Sequence, residues 1–423
     1  MAKKLEEIKE EECLYELPEG WKWERLKRIS KKISDGSHNP PKNSGYGVPL
    51  LSATNIHDRI INMDNVSRWI TEEEWCIENK RTDIEKGDIL LTIVATIGRV
   101  AMVNNEHFAL QRSVAVIKPI INSLYLSYYL ESPYIQQFMI SNSKGTAQKG
   151  FYLKSLENLL CCVPPKETQQ KIVDIIESLF AKLDIAQEKV EQVLAESENR
   201  RSAILHNAFN GKLTEKWREE NNVSFDSWKN MKLGDVAKTQ YGYTESATIE
   251  EVGPKFLRIT DIQDGAVDWK KVPYCKISDD EFQKYKLNIG DIVVARTGAT
   301  TGKSYIISDE VNSVYASYLI GVKVYDNKVS SQYIYKYMQS PLYWEQITSF
   351  SAGIAQPGVN GNKLKQLSVN IPTLPEQKEI VRLLDKLLFV EDKVKSTCQN
   401  TLEAIATMRK SILAKAFRGE LCS

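Results

Sequence analysis

The 423-residue sequence is poor in most features that would mark a catalyst, a secreted scaffold or a membrane span. It has 4 histidines, His38, His57, His107 and His206, and none pairs with a cysteine or a second histidine at metal-ligand spacing. Its 7 cysteines are odd in number, form no Cys-x-x-Cys and include the adjacent Cys161 and Cys162. That excludes a disulfide framework or a zinc site and fits free thiols in a reducing compartment. No apolar run approaches the length of a bilayer; the longest, Ile89 to Val94, contains a threonine. The start of the chain alternates Lys with Glu instead of building a signal peptide. The sequence therefore reads as a cytoplasmic protein with no membrane association. Charge of one sign is also lacking: Lys plus Arg is 56, Asp plus Glu is 55, and the net charge is +1. A protein that coats polyanions all over is excluded, but a local basic surface is not.

What the sequence does contain is a duplication. Trp21 matches Trp228; Leu51, Thr54 and Ile56 match Leu257, Thr260 and Ile262. Gly87-Asp88-Ile89 matches Gly290-Asp291-Ile292. From Tyr125 to Leu213 the register locks without a gap onto Tyr333 to Leu421. Gly145, Ala147, Gln148 and Gly150 meet Gly353, Ala355, Gln356 and Gly358 in this way. Each copy opens on strand-rich, loop-rich sequence, with strands expected over 88–94, 114–117, 291–296 and 319–324. Short helices are expected over 124–130 and 333–338.

Each copy then ends on a long amphipathic helix. Ile172, Ile176, Leu179, Leu183, Ala186, Val190 and Val193 alternate by four and three, a heptad seam that Ile204 resumes. Ile380, Leu384, Leu387, Val394, Ile405, Met408 and Ile412 form the matching seam, with Glu391 and Cys398 interrupting it. Thr373-x-x-Glu376 has the spacing of a capping box, with Pro375 in the first turn, and Gly211 and Gly419 stand where a glycine ends each helix. Each helix would be about 40 residues and about 60 Å long. Such seams need partners. Two copies joined head to tail would set the helices antiparallel about a pseudo-twofold axis, with the globular parts inverted at opposite ends.

Motifs that suggest catalysis fail on detail. Asn39-Pro40-Pro41 resembles the Asn-Pro-Pro-aromatic motif of DNA amino-methyltransferases, but Lys42 stands where the stacking aromatic belongs. Gly298 to Ser304 resembles a phosphate-binding loop with three residues between its glycines where four are required. A turn between two strands accounts for it. The polar loops are more informative. Ser37, His38, Asn39 and Lys42 follow a basic stretch containing Lys22, Arg25, Lys27, Arg28, Lys31 and Lys32, the footprint expected for phosphate contact. The matching loop of the second copy offers Tyr241, Tyr243 and Thr244 instead. One frame carrying two different polar loops suits two sites that read different sequences. Asn55, Arg99, Lys144 and Gln148 in the first copy, and Arg258, Arg296, Lys303 and Gln356 in the second, complete the DNA-binding candidates, because Arg and Asn/Gln suit guanine and adenine edges.

The layout resembles the specificity subunit of type I restriction-modification systems. Leu17-Pro18-Glu19-Gly20-Trp21 and the paired Gly-Asp-Ile motifs are similar to that family's target recognition domains. Pro164-Pro165 through Gln169-x-x-Ile172-Val173 and Pro372-x-Leu374-Pro375-Glu376-Gln377-x-x-Ile380-Val381 resemble its spacer-helix motif. Glu167-Thr168-Gln169 departs from the usual Pro-x-x-Glu-Gln. The resemblance implies an α+β fold class: two tandem-duplicated α/β target recognition domains (1–165 and 213–372) separated by two long antiparallel coiled-coil helices (166–212 and 373–423). It implies that each domain binds one half of a bipartite site on double-stranded DNA, with the coiled coil setting the separation. It implies two methylation subunits and restriction subunits as partners. S-adenosylmethionine, ATP and Mg would serve those partners, leaving no cofactor or metal and no catalysis to this chain. A self-sufficient nucleic-acid methyltransferase and a coiled-coil scaffold without DNA binding are the alternatives.

Overall fold

A computed structural model describes residues 8–104, 107–145, 148–263, 265–351 and 358–421. The chain divides into two compact units: one runs to Val190 and resumes at Asn400, and the other is Glu191–Gln399. Each unit therefore owns one globular part and a portion of both long helices.

In the first unit, four antiparallel strands lie in the order Ser30–Asp35, Val114–Pro119, Ile89–Thr92, Val100–Met102. The two central strands are apolar almost throughout because both their faces are covered. Period two decides which face each residue serves. Ile89, Leu91, Ala115 and Ile117 face a core shared with the helices Ser123–Glu131 and Pro133–Ser141. Leu90, Val114 and Val116 face a second core with Leu51, Ile56, Phe108 and Leu110. The second unit repeats the arrangement with Ala237–Tyr241, Leu319–Val324, Ile292–Ala295 and Ser304–Ile306. There Ile292, Val294, Ile320 and Val322 face helices, while Val293, Ala295 and Leu319 face Leu257, Tyr305 and Tyr315.

The repeated motifs prove to be frame. Asp88 Oδ2 accepts the Glu85 amide at 2.8 Å and lies 3.1 Å from Lys118 Nζ, a buried lysine on the neighbouring strand. Asp291 Oδ2 does the same for the Asn288 amide at 3.0 Å and for Lys323 at 3.2 Å. Gln169 is buried; its Oε1 accepts the Asn122 amide at 3.0 Å and its Nε2 donates to the Pro164 carbonyl at 2.9 Å. Gln377 repeats this with the Ser330 amide at 2.8 Å and the Lys328 and Pro372 carbonyls, each at 2.9 Å.

The long helices are Lys166–Phe209 and Leu374–Phe417, 44 residues each. Gly211 and Gly419 follow them with φ of +83° and +80°, the left-handed conformation of a C-terminal cap. In the first unit Ile172 and Ile176 are buried with Ile405, Leu413 and Phe417, and Leu179, Leu183 and Val190 are half-buried. Arg409 pairs with Asp184 and stacks over Phe180 at 5.1 Å. In the second unit Leu205, Ala208 and Phe209 share a core with Ile380, Val381, Leu384 and Leu388. Glu198 meets Lys395 at 3.7 Å and Arg200 meets Glu391 at 3.2 Å, so the helices run antiparallel.

Three expectations for the helices need correction. Val193 and Met408 are 38% and 52% exposed, and half-buried Leu194 and buried Ser197 take over the seam. Two successive four-residue steps from Ala186 shift the contact line, because a helix of 3.6 residues per turn drifts from a strict heptad. For the same reason Leu388 is buried where Leu387 is half-buried, and Leu205 where Ile204 is half-buried. Glu391 does not interrupt the seam; its side chain is 13% exposed there and takes Arg200 as counter-ion. The capping box does not close either. Glu376 Oε1 accepts Thr214 Oγ1 and Arg218 Nη1, both at 2.7 Å, and Oε2 accepts Trp228 Nε1 at 3.1 Å. Among the described residues, buried Thr373 Oγ1 has no hydrogen-bond partner.

Candidate nucleic-acid interface

In each unit one end of the sheet gathers the loops that carry the candidate residues. In the first unit the Ser37 amide donates to the Leu110 carbonyl at 2.7 Å and the Arg112 amide to the Ser37 carbonyl at 3.0 Å. A Cβ on Gly36 would lie 2.2 Å from the Leu110 oxygen, so only glycine lets these backbones cross. The Ala53 amide donates to Ser113 Oγ at 3.0 Å, the Ile93 amide to the Ser113 carbonyl at 2.9 Å, and the Ala95 amide to the Lys149 carbonyl at 3.0 Å. The segments 36–42, 52–56, 93–99, 111–113 and 148–150, with Lys144 bridged to Gly150, are thus tied into one surface. Its chemistry comes from Arg99, Arg112, Lys144, Gln148 and Lys149, all exposed, with His38, Asn39 and Lys42 exposed on the adjoining loop.

Among the described residues, Lys42, Arg99, Arg112, Lys144 and Lys149 have no acidic partner within ion-pair distance, although many cations elsewhere are paired. Arg99 is steered by one contact, Nη1 to the Ile56 carbonyl at 3.3 Å. His38 is aimed by Asp35, a buried carboxylate whose Oδ2 lies 2.8 Å from His38 Nε2 and whose Oδ1 pairs with Arg81. Arg81 comes from the helix Glu72–Thr82 and its Nη2 lies 3.1 Å from the same ring nitrogen.

The second unit builds the same cradle from other side chains. The Tyr243 amide donates to the Tyr315 carbonyl at 2.7 Å, and a Cβ on Gly242 would lie 2.2 Å from the Ala316 oxygen. Arg296 stacks on Tyr241 at 4.9 Å, and the Tyr241 hydroxyl accepts the Gly361 amide at 3.2 Å. Lys303 occupies the place of Arg99 on the matching turn, exposed. Arg296 and Lys303 likewise have no acidic partner among the described residues. Tyr243, Thr244 and Arg258 meet in a groove of about 480 Å³ that also takes in Glu245, Thr260 and Tyr318. The Glu281 carboxylate beside Tyr243 holds the proton of its hydroxyl above the usual range for tyrosine.

The sequence matches the family described as the type I restriction modification DNA specificity domain twice, over residues 18–195 and 226–404. The chain belongs to that family. It is 25% identical over 426 residues to the type I restriction enzyme EcoKI specificity subunit of Escherichia coli strain K12, covering 96% of this chain and 90% of that one. It is 24% identical over 382 residues to the MjaVIII specificity subunit of Methanocaldococcus jannaschii, covering 86% and 85%. Its fold matches the HsdS subunit from Thermoanaerobacter tengcongensis at a TM-score of 0.63 with 19% identity, over 97% and 99% of the two chains. A chain solved in work on complex assembly and conformational transition of the type I R-M system matches at 0.72 with 18% identity, over 96% and 100%. The chain is a specificity subunit of a type I restriction-modification system, and specificity subunits are not themselves catalysts.

Not every candidate reaches the surface of this specificity subunit. Asn55 is buried, with Oδ1 accepting the Ser52 amide at 3.0 Å and Nδ2 donating to the Asn62 and Asn65 carbonyls. It shapes a turn. Ser37 is buried too and contributes backbone. The basic stretch before the first loop is largely neutralised. Arg25 is buried against Glu12 at 3.2 Å, and Lys27 pairs with Glu157 at 2.7 Å. Lys22 and Arg28 both flank Glu24. Residues in strand and turn there serve the packing of Lys22–Arg25 on Leu160–Val163. Gln356, with Ala147, Gly353 and Ala355, lies outside the described residues. Conversely, composition gave no reason to choose Arg81, Asp35 or Tyr318, which is 64% exposed. Only the i,i+3 spacing of Arg258 and Asp261 was a visible signal.

Among the described residues no helix is long and apolar enough to cross a membrane, and no group of three or more His, Cys, Asp or Glu is placed to hold a metal.

Proposed function

We propose that each unit reads one half of a bipartite, asymmetric DNA site through its loop surface, and that the two antiparallel helices fix the distance between the halves. One observation carries this reading: the same backbone cradle is built twice, and its outward side chains differ. His38, Asn39 and Lys42 on one become Thr244 and Glu245 beside Tyr243 on the other. Unpaired cations at the shared rim, Arg99 with Lys144 in one unit and Arg296 with Lys303 in the other, suit phosphates, which fix register without reading sequence. The domain limits 1–165, 166–212, 213–372 and 373–423 then describe reader, rod, reader and rod.

Two methylation subunits bound to this chain would transfer methyl groups from S-adenosylmethionine to adenine, and restriction subunits would use ATP and Mg for translocation and cleavage, all in the cytoplasm. Exposed Phe389 and Val390 on the second helix offer apolar surface for such partners. The test is adenine-methylation mapping in cells carrying this chain and its methylation partner. A bipartite motif that appears only with this chain is expected. Insertion of one heptad into both helices should lengthen the unread gap, and an unchanged gap would refute the ruler.

A further inference from the structure

Among the cations of the two loop surfaces, Arg258 is held in a way the others are not. It follows the strand Lys255–Leu257 and opens a short turn. Its Nε donates to Asp261 Oδ2 at 3.0 Å and its Nη2 to Asp261 Oδ1 at 2.7 Å. Asp261 is itself locked, because Oδ2 also accepts the Arg258 amide at 2.8 Å. The Asp261 side chain is 10% exposed and that of Arg258 41%. The carboxylate therefore grips the guanidinium side-on, using Nε–H and one Nη2 hydrogen. Among the described residues Nη1 has no hydrogen-bond partner, so the end-on pair of Nη1 and Nη2 hydrogens stays available. Arg258, with Thr260, lines two hollows of about 480 Å³ each.

The turn does not need this arginine. In the first unit the equivalent turn closes with Asn55 Oδ1 on the Ser52 amide at 3.0 Å, and serine stands where Arg258 stands. The first unit closes its turn without a charged pair, so the turn alone does not explain the clamp. Phosphate binding fits poorly as well. In the lining of the two hollows Glu245, Asp261 and Asp268 outnumber Arg258 and Lys271, and Lys271 is paired with Asp268, so a phosphate would meet net repulsion. A neutral base edge would not. Arginine with its end-on fork free matches the O6 and N7 acceptors of guanine in the major groove. Glu245, whose Oε1 accepts the Ser246 amide at 2.7 Å, keeps an acceptor suited to the amino group of the paired cytosine.

We propose that Arg258, positioned by Asp261, reads a guanine in the half-site of the second unit. This rests on the DNA-reading role above and adds the residue and the base. The test uses the full chain with its methylation subunits, comparing wild type with R258A, R258K and D261N. Methylated motifs are mapped, and binding is competed with duplexes altered one base pair at a time. Wild type should require G·C at one position of one half-site. R258A should lose discrimination there by about 10- to 100-fold and leave the other half-site strict. R258K, which offers a point charge without a fork, should lose part of it. D261N preserves the turn as Asn55 does but frees the guanidinium, and should fall between wild type and R258A.

Uniform weakening of all sequences by R258A, with the salt slope reduced by about one, would make Arg258 a phosphate contact and overturn the inference. So would unchanged preference in a variant with wild-type melting, or a wild-type motif with no guanine in either half-site. If wild type gave no bipartite motif at all, the DNA-reading role would fail first, which is a separable outcome.

Discussion

The junction between the second reader and the second long helix hangs on one buried carboxylate, and removing it should be costly. Glu376 is fully buried and receives three hydrogen bonds, from Thr214, Arg218 and Trp228. Arg218 is nearly buried and lies 5.0 Å over the Phe225 ring and 5.9 Å over that of Trp228. E376A would leave that guanidinium without a counter-ion in an apolar setting. Breaking one side of a buried pair costs about 3–5 kcal/mol. For a unit of this size each kcal/mol moves the melting midpoint by about 2–4 °C, so the expected fall is about 6–20 °C for the second unit.

Hydrogen exchange read by peptide separates this unit from the other, which should keep its protection. The double variant R218M/E376M should recover at least half of the loss, because exchanging a whole buried pair for apolar groups is close to neutral. T168A supplies an internal control. Thr168 occupies the equivalent place at the start of the first helix, half-buried, and its loss should cost under about 0.5 kcal/mol. A fall below 2 °C for E376A, or a double variant as unstable as the single one, would refute the reasoning.

Other expectations follow from the same geometry. Q377A strands the Ser330 amide and the Lys328 and Pro372 carbonyls, and should destabilise the second unit by about 2–4 kcal/mol in urea unfolding; Q169A should act similarly on the first. Replacing Lys144 and Lys149 together by alanine should weaken DNA binding for all sequences alike and reduce the slope of log K against log salt by about 2. An unchanged slope would remove them from the phosphate contacts. Burial pushes the Cys162 thiol up to about 11, and Cys161 also upward. At pH 8 the Cys162 thiolate fraction is about one in a thousand, so a maleimide should label exposed Cys76 and reach Cys161 and Cys162 only after denaturation. Equal labelling of Cys76 and Cys162 in the native protein at pH 8 would contradict the burial.

The fold was legible where one local rule fixes the outcome. The apolar strands at Ile89 and Ile292, the helix ends at Gly211 and Gly419, and the duplication all follow from composition and periodicity. Legibility stopped where two local rules compete for one side chain. Thr373 and Glu376 have capping-box spacing, but a buried arginine 158 positions away takes the carboxylate. Val193 continues a strict heptad on paper, while the true helical repeat carries the contact to Leu194. The interface suffered more. Arg25 and Asn55 have residue types that suit DNA, yet both are consumed inside the fold. Arg81, Asp35 and Asp261 act by holding another side chain, and such roles depend on which loops meet in space.

The duplication resolves much of this ambiguity, because the second copy acts as a control on the first. Where both copies keep a residue and its partners, the residue builds the frame: Asp88 with Asp291, Gln169 with Gln377, Gly36 with Gly242. Where the backbone geometry persists and the side chain changes, the frame cannot be the reason for the side chain. Serine at 52 and arginine at 258 open the same turn, so the turn itself is not the reason for the arginine. Thr168 against Glu376 is the instructive exception, a difference that lies indoors. It has an internal cause, since Arg218 is there to be neutralised and, among the described residues, Glu376 is the carboxylate it pairs with. A difference between copies therefore points to recognition only after its partners inside the fold have been counted; for Arg258 that count is the Asp261 carboxylate, which takes Nε and Nη2 and leaves Nη1 without a partner among the described residues.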